Sequence, residues 1–202
     1  MFSRSTGTPI PQSIPPGTAG AEEIVLVERI ARGDVRAFEA LYRSYFSRLA
    51  RFIERMTRRP ELVEEILNDT MFVVSTSAHK YNHSSKVSTW IFAIAYRKSL
   101  KALRDVDDPV DPEDADPAAD IDHTAEPRDE AIRAQLRRFL SEAVDALSPN
   151  HRAVIELTYF HEAGYREIAQ IMGCPIETVK TRMFHARRRL KALLPERLED
   201  IL

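Results

Sequence analysis

Little in this chain points to catalysis or to a secreted life. One cysteine, Cys174, stands among the 202 residues, so no disulfide can form within the chain, which fits a reducing compartment. The longest apolar run, Trp90 to Tyr96, is far too short to span a bilayer. The N-terminus lacks a continuous apolar core of the signal-peptide kind. There is no Gly-rich phosphate loop, no His-Glu zinc motif and no nucleophile elbow. Cys174, His151 and His161 are not spaced as a triad. His79 and His83 lie four apart, but Asn82 and Ser84-Ser85 disfavour the helix that would pair them, and further ligands are missing. The expectation is a soluble cytoplasmic protein that is not an enzyme, with no catalytic residue, no metal and no cofactor.

What is present becomes visible once the charge is divided. The net charge is only −2, yet the 26 residues from Asp105 to Glu130 hold twelve acids and one base, Arg128. That segment carries −11 and the rest of the chain +9. Its acids and four prolines exclude a packed helix and give an extended linker. Fully stretched, it reaches up to about 85 Å, more than two turns of duplex at about 34–36 Å each. Residues 1–20, rich in Pro, Ser, Thr and Gly, cannot bury enough apolar surface to order themselves and read as a disordered tail. The fold class that follows is all-α: two small helical domains, 21–104 and 131–202, joined by the acidic flexible linker 105–130.

In the first domain, 22–31 form a short amphipathic helix ending at Gly33, and Asp34 caps a second that runs to about Thr57. Phe38, Leu41, Tyr42, Tyr45, Leu49, Phe52, Ile53 and Met56 make its buried stripe. After Pro60, a third helix buries Leu62, Val63, Ile66, Thr70, Val73 and Val74. Its other face presents Glu61, Glu65, Asn68, Asp69 and Phe72. An aromatic among carboxylates fits a docking surface; a solvated acidic face fits the composition equally well. The loop from His79 to Lys86 mixes Tyr81 with Lys80, Asn82 and Lys86, a combination suited to stacking on unpaired bases. Ser88-Thr89 then cap a helix from Trp90 to Arg104, with Trp90 placed for core packing and Arg97, Lys98, Lys101 and Arg104 along a basic edge.

The second domain starts with a helix over 131–147, burying Leu136, Phe139, Leu140, Val144 and Leu147, followed by a Ser148 cap and Pro149. Val154, Ile155 and Leu157 pack the next helix against the segment from Tyr165 to Leu194. There a short helix with Ile168, Ala169 and Met172 on one face stops at Gly173, and Pro175 opens a longer one. The longer helix buries Ile176, Val179, Met183, Ala186, Leu190 and Leu193. Its outer face carries Glu177, Lys180, Thr181, Phe184, His185, Arg187, Arg188 and Lys191, and residues 176–197 hold seven Lys or Arg against two Glu. This is the pattern of a helix-turn-helix, which lays its second helix in a DNA major groove. Phe184 among those charges has no packing reason to point outward.

Two blocks in this order resemble the bacterial RNA polymerase sigma factors of the extracytoplasmic-function class. GDVRAFEALYRSYFSRLARFI, ELVEEILNDTMFVV and STWIFAIAYRKSLKALR resemble region 2; LSPNHRAVIELTYFHEAGYREIAQIMGCPIETVKTRMFHARRRLKALL resembles region 4. The resemblance implies an alternative sigma factor that binds core RNA polymerase and directs initiation at particular promoters. By position, Glu65 to Asp69, with Glu61 and Phe72 beside them, would grip the clamp helices of the largest subunit, and region 4 the flap. Lys80, Tyr81, Asn82 and Lys86 would capture a base flipped from the minus-ten element, with Trp90, Arg97, Lys98 and Lys101 facing its DNA. Glu177, Lys180, Thr181, Phe184 and His185 would read the minus-thirty-five groove while Arg166, Arg182, Arg187 and Arg188 hold phosphates. The linker would thread toward the polymerase's RNA channel, and an anti-sigma factor is a candidate partner. Ala93 and Arg97 depart from residues usual in the class, which leaves the preferred promoter base open. Two other classes remain: a stand-alone helix-turn-helix regulator that binds operator DNA without polymerase, and a protein that sequesters a partner through its acidic helix.

Overall fold

The computed structural model describes residues 18–105 and 142–193. Among them are seven helices and no strand: α1 (Thr18–Ala31), α2 (Val35–Thr57), α3 (Pro60–Ser77), α4 (Val87–Asp105), α5 (Pro149–Tyr159), α6 (Tyr165–Met172) and α7 (Ile176–Leu193). A 3-10 turn, Ala78–Lys80, follows α3, and residues 142–145 are helical. The linker and the inward positions Leu136, Phe139 and Leu140 lie outside the described residues.

Local chemistry sets most boundaries. Gly33, at φ 86°, turns the chain where a side chain would be strained. Asp34 Oδ1 then accepts from the Arg36 and Ala37 N–H groups at 3.0 and 3.1 Å, satisfying donors that the first turn of α2 leaves open. Arg29 bonds the other carboxylate oxygen at 2.7 Å, and these contacts hold the Asp34 carboxyl below the usual range. Ser148 caps α5, and Pro60 and Pro149 occupy first-turn positions. Two helices begin earlier than the sequence implies. α1 starts at Thr18, inside the segment read as a disordered tail. α4 starts at Val87, because the Lys86 carbonyl already accepts from Trp90 N (3.1 Å) and Val87 is buried; Ser88-Thr89 therefore lie in the first turn instead of capping it.

Leu41, Tyr45, Leu49, Phe52, Ile53 and Met56 run down one side of α2 and meet α1 at Val27 and Ile30 and α3 at Ile66, Leu67, Met71 and Val74. In the second domain Val154 and Leu157 of α5 meet Ile168 and Ile171 of α6 and Val179, Met183 and Ala186 of α7. These two sets are one continuous core. α5 lies on α2 and α6 on α4, so the two helical domains pack against each other.

The polar contacts at this boundary are specific. Met56 O belongs to the last turn of α2, and its partner four residues on would be Pro60, which has no N–H. Arg152 of α5 fills that role: Nε and Nη2 donate to Met56 O at 3.0 and 2.9 Å, and Nη1 donates to Leu147 O (2.6 Å) and Asp145 O (3.1 Å). Beside it, Arg55 Nη1 donates to buried Glu156 Oε2 at 2.9 Å, Arg58 pairs with Asp145, and Tyr96 OH donates to Asn150 Oδ1 at 2.7 Å. His161 packs edge-on to Phe52 and at a tilt against Phe92, its side chain 8% exposed.

Candidate nucleic-acid interface

α7 is held by its apolar stripe and shows its polar face to solvent. Gly164 N–H donates to Glu167 Oε2 (3.1 Å), fixing the start of α6, and Gly173 takes the left-handed conformation (φ 63°) that ends it. Val179, Met183 and Ala186 are buried against α5 and α6; Leu190 and Leu193 are half-buried and Ile176 is exposed. Glu177, Lys180, Thr181, Arg187 and Arg188 are thereby exposed together, with Phe184 63% exposed among them and Arg166 exposed on α6. The face is partly pre-ordered. Lys180 Nζ donates to Glu177 Oε1 (2.8 Å), Thr181 Oγ1 to Glu177 O (2.9 Å) and Arg187 Nη2 to Tyr159 OH (2.9 Å). His185, half-buried, lies edge-on to Phe184.

Arg182 is placed differently from the others. It is half-buried, with Nη1 3.7 Å from Cys174 Sγ, and its guanidinium lies beside Tyr96 of α4. Burial pushes the Tyr96 hydroxyl up to about 12, and Arg182 offsets part of that rise. Burial also raises the Cys174 thiol, so this cysteine is a poor nucleophile.

The loop ahead of α4 is a fixed turn. Asn82 Oδ1 accepts from Ser84 N (3.1 Å), and His83 sits at φ 59°. Tyr81 is half-buried: its hydroxyl donates to Ser85 O (2.6 Å) and its ring lies 4.9 Å from His83 and 5.3 Å from Trp90. Burial first, then the charge of Glu23, raises its pKa. Tyr81, the candidate stacker, is thus one half of a Tyr81–Trp90 wall, flanked by exposed Lys80, Asn82 and Lys86. Arg97 and Lys101, one turn apart, are exposed along α4. Lys98 is half-buried and donates to Asp69 Oδ2 (2.8 Å), so it ties the basic edge of α4 to the acidic face of α3. Lys86 Nζ reaches Glu167 Oε1 on α6 at 2.5 Å. Partial burial would raise the Glu167 carboxyl, but Lys86 and the Gly164 N–H outweigh it and lower the pKa.

On α3, Glu61, Glu65, Asn68 and Asp69 are exposed and Phe72 is 66% exposed. Tyr42, read from sequence as part of the buried stripe of α2, is half-buried against the core; its hydroxyl donates to Asn68 Oδ1 (3.1 Å), and its ring lies between Phe38 (6.1 Å) and Phe46 (5.8 Å). Phe46 is exposed. This aromatic ladder widens the face around Phe72, and its signal was the four-residue spacing of 38, 42 and 46.

Among the described residues no group of His, Cys, Asp and Glu could hold a metal, and no helix is long and apolar enough to cross a membrane. Family models for Sigma-70 region 2 and Sigma-70 region 4 match residues 41–108 and 137–190, together more than half of the chain. The chain is 29% identical over 180 residues to the RNA polymerase sigma-H factor of Pseudomonas aeruginosa, covering 84% of this chain and 93% of that protein. It is 26% identical over 174 residues to the ECF RNA polymerase sigma-E factor of Haemophilus influenzae (82% and 92% covered) and over 172 residues to that of Escherichia coli K12 (81% and 89%). Two solved structures share the fold. CnrH in complex with the cytosolic domain of CnrY superposes with TM-score 0.62 at 22% identity over 85% of this chain and 96% of that one. The sigma factor RpoE from Bartonella quintana, in complex with the anti-sigma factor NepR, gives 0.55 at 24% over 79% and 97%.

Proposed function

The chain belongs to the sigma-70 family as an alternative sigma factor of the extracytoplasmic-function class, and from that premise we propose how its residues divide the work of initiation. The polymerase core supplies the chemistry, in the cytoplasm, and this chain supplies promoter address and strand capture. The observation that carries the reading is the outer face of α7, where Lys180, Thr181, Phe184, Arg187 and Arg188 stand exposed over a buried apolar stripe.

Inserted in the minus-thirty-five major groove, that face offers the Lys180 ammonium and Thr181 hydroxyl to base edges and the Phe184 ring to a thymine methyl. Glu177 orients Lys180 and can itself accept from a cytosine amine. Arg166, Arg187 and Arg188 hold phosphates and fix register without reading sequence. At the minus-ten element the Tyr81–Trp90 wall takes the flat face of an unpaired base while Lys80, Asn82, Arg97 and Lys101 track the strand. Stacking of this kind contributes roughly 1–3 kcal/mol per base, which offsets strand separation without nucleotide hydrolysis. The Phe72–Asn68–Tyr42 face, with Glu61, Glu65 and Asp69, docks on the polymerase clamp. An anti-sigma factor is a fitting further partner, since both structural neighbours named above are complexes.

Purified chain with core polymerase in run-off transcription on a genomic promoter pool tests this. Promoter-specific transcripts are expected. Operator binding that needs no polymerase, with no transcripts, would instead establish the stand-alone regulator.

A further inference from the structure

His83, two residues past Tyr81, sits at φ 59° in the left-handed region, which a side chain occupies only at a cost. The turn itself asks little of it. Asn82 Oδ1 already accepts from Ser84 N at 3.1 Å, and a glycine or asparagine at 83 would close the same turn with less strain. What histidine adds is a ring. That ring lies 4.9 Å from the ring of Tyr81, whose other aromatic neighbour is Trp90 at 5.3 Å. Behind His83 stands α1: Glu28 Oε1 is 3.9 Å from His83 Nε2, and α1 packs against the 3-10 turn from which the loop leaves. Val27 and Ile30, to either side of Glu28 in sequence, are buried in the core, so that carboxylate is carried on a fixed helix. Glu23 of the same helix accepts from the Tyr45 hydroxyl at 2.8 Å, and its charge reaches Tyr81.

We propose that His83 is a positioning residue for strand capture: anchored on α1 through Glu28, its ring holds Tyr81 against Trp90, so that the wall is set before an unpaired base arrives. The inference deepens the minus-ten reading given above and rests on it. A Tyr81 side chain free to swing would lose its rotamer freedom only when a base stacked, and that loss would subtract from the stacking gain. Here the order is established on folding. The Tyr81 hydroxyl donates to Ser85 O at 2.6 Å, and the ring has His83 and Trp90 beside it. The strained backbone at 83 is the structural cost of that order, placed at the site that uses it. α1 thereby acts on the minus-ten element without touching DNA.

His83→Asn removes the ring and keeps a residue that tolerates the left-handed turn. Trp90 is the chain's one tryptophan, so its fluorescence in the free chain reports on the wall directly. Acrylamide should quench Trp90 more strongly in His83→Asn than in the parent, while the unfolding temperature stays within about 2 °C. In the holoenzyme on a promoter from the run-off pool, permanganate detection of unpaired thymines should show opening about three- to ten-fold slower, the size of one lost ring contact, with protection of the minus-thirty-five duplex intact. Glu28→Ala should slow opening in the same direction, by less. Parent-like quenching or parent-rate opening in His83→Asn overturns the inference. So does a His83→Asn effect that persists undiminished in a Tyr81→Ala background, since His83 would then touch the strand itself. Parent-rate opening in Glu28→Ala overturns the anchoring on α1. If Tyr81→Ala alone opens the promoter at the parent rate, the minus-ten reading falls and this inference with it.

Discussion

Replacing Arg152 by methionine isolates the largest single polar contribution at the boundary. Methionine keeps most of the stem volume and supplies none of the four N–H donations. The Met56 carbonyl suffers most, because Pro60 offers it no N–H and it accepts two of the four. A buried acceptor left unpaired costs about 1–3 kcal/mol. The carbonyls of Asp145 and Leu147 lose one donor each. If water reaches those two once the guanidinium is gone, the expected loss is about 3 kcal/mol. For a body this size each kcal/mol moves the melting temperature about 2–4 °C, so Arg152→Met should melt roughly 6–12 °C lower. Scanning calorimetry at pH 7 measures it, with Arg51→Met, an exposed position on α2, as a control expected within about 0.5 kcal/mol of the parent. A broadened or divided endotherm would show the two domains melting apart. A melting temperature within about 2 °C of the parent would refute the argument that Met56 O depends on Arg152.

Lys180→Ala should weaken holoenzyme protection of the upstream duplex and reduce the slope of log affinity against log salt by no more than about one, as footprinting across a salt series would show; unchanged protection moves base reading off α7. Glu162 sits at φ 51° without being glycine, whereas Gly164, at φ −70°, caps α6 without a side chain. Moving the glycine, by Glu162→Gly with Gly164→Ser, should stabilise the chain by about 1 kcal/mol in urea titration, since it relieves a left-handed residue and gives α6 a capping hydroxyl while the number of glycines in the unfolded chain stays the same. Burial, then the charges of Arg48, Arg51 and Arg55, holds His161 at about 4, below its ordinary 6.5. Only the unfolded chain binds that proton between these values, so stability is complete above pH 6.5 and falls toward pH 4 by up to about 1.4 kcal/mol per unit. Burial raises Glu156, which favours its proton in the fold and opposes the fall; denaturation at stepped pH should show the acid loss reduced in His161→Phe.

The recognition unit was legible because its signals are local. Gly173 stops one helix, Pro175 precedes the next, and a 3-4-3 stripe assigns the faces of α7, so its exposed residues emerge from the sequence nearly as the structure has them. α4 was legible only in outline. Its run WIFAIAY has no helical period, and the structure buries Ile91 through Tyr96 without a break because α2 and α3 cover one side and α6 the other. A run apolar on every face marks a helix enclosed on several sides, and that was the available sign that the second domain packs here. The setting of Tyr81 was hidden for a related reason: Trp90, nine residues on, lies 5.3 Å from its ring, a pairing that no spacing rule announces. Arg152 and Glu156 on α5 carry no local signal, since their partners lie about a hundred residues earlier in the chain.

The linker's length leaves open whether the two domains touch, because reach and separation are different quantities. A tether that can extend to about 85 Å still keeps two domains at an effective concentration near millimolar. An interface that would bind at only about micromolar between separate chains is then closed about a thousand to one, equivalent to roughly 4 kcal/mol. One bidentate arginine in an orphan carbonyl and one buried Arg55–Glu156 pair, over a shared apolar core, are ample for an interface of that strength. Pulling α5 from α2 and α6 from α4 therefore costs about 4 kcal/mol, so Arg152 and Glu156, whose partners lie on α2, set how firmly the two domains stay together.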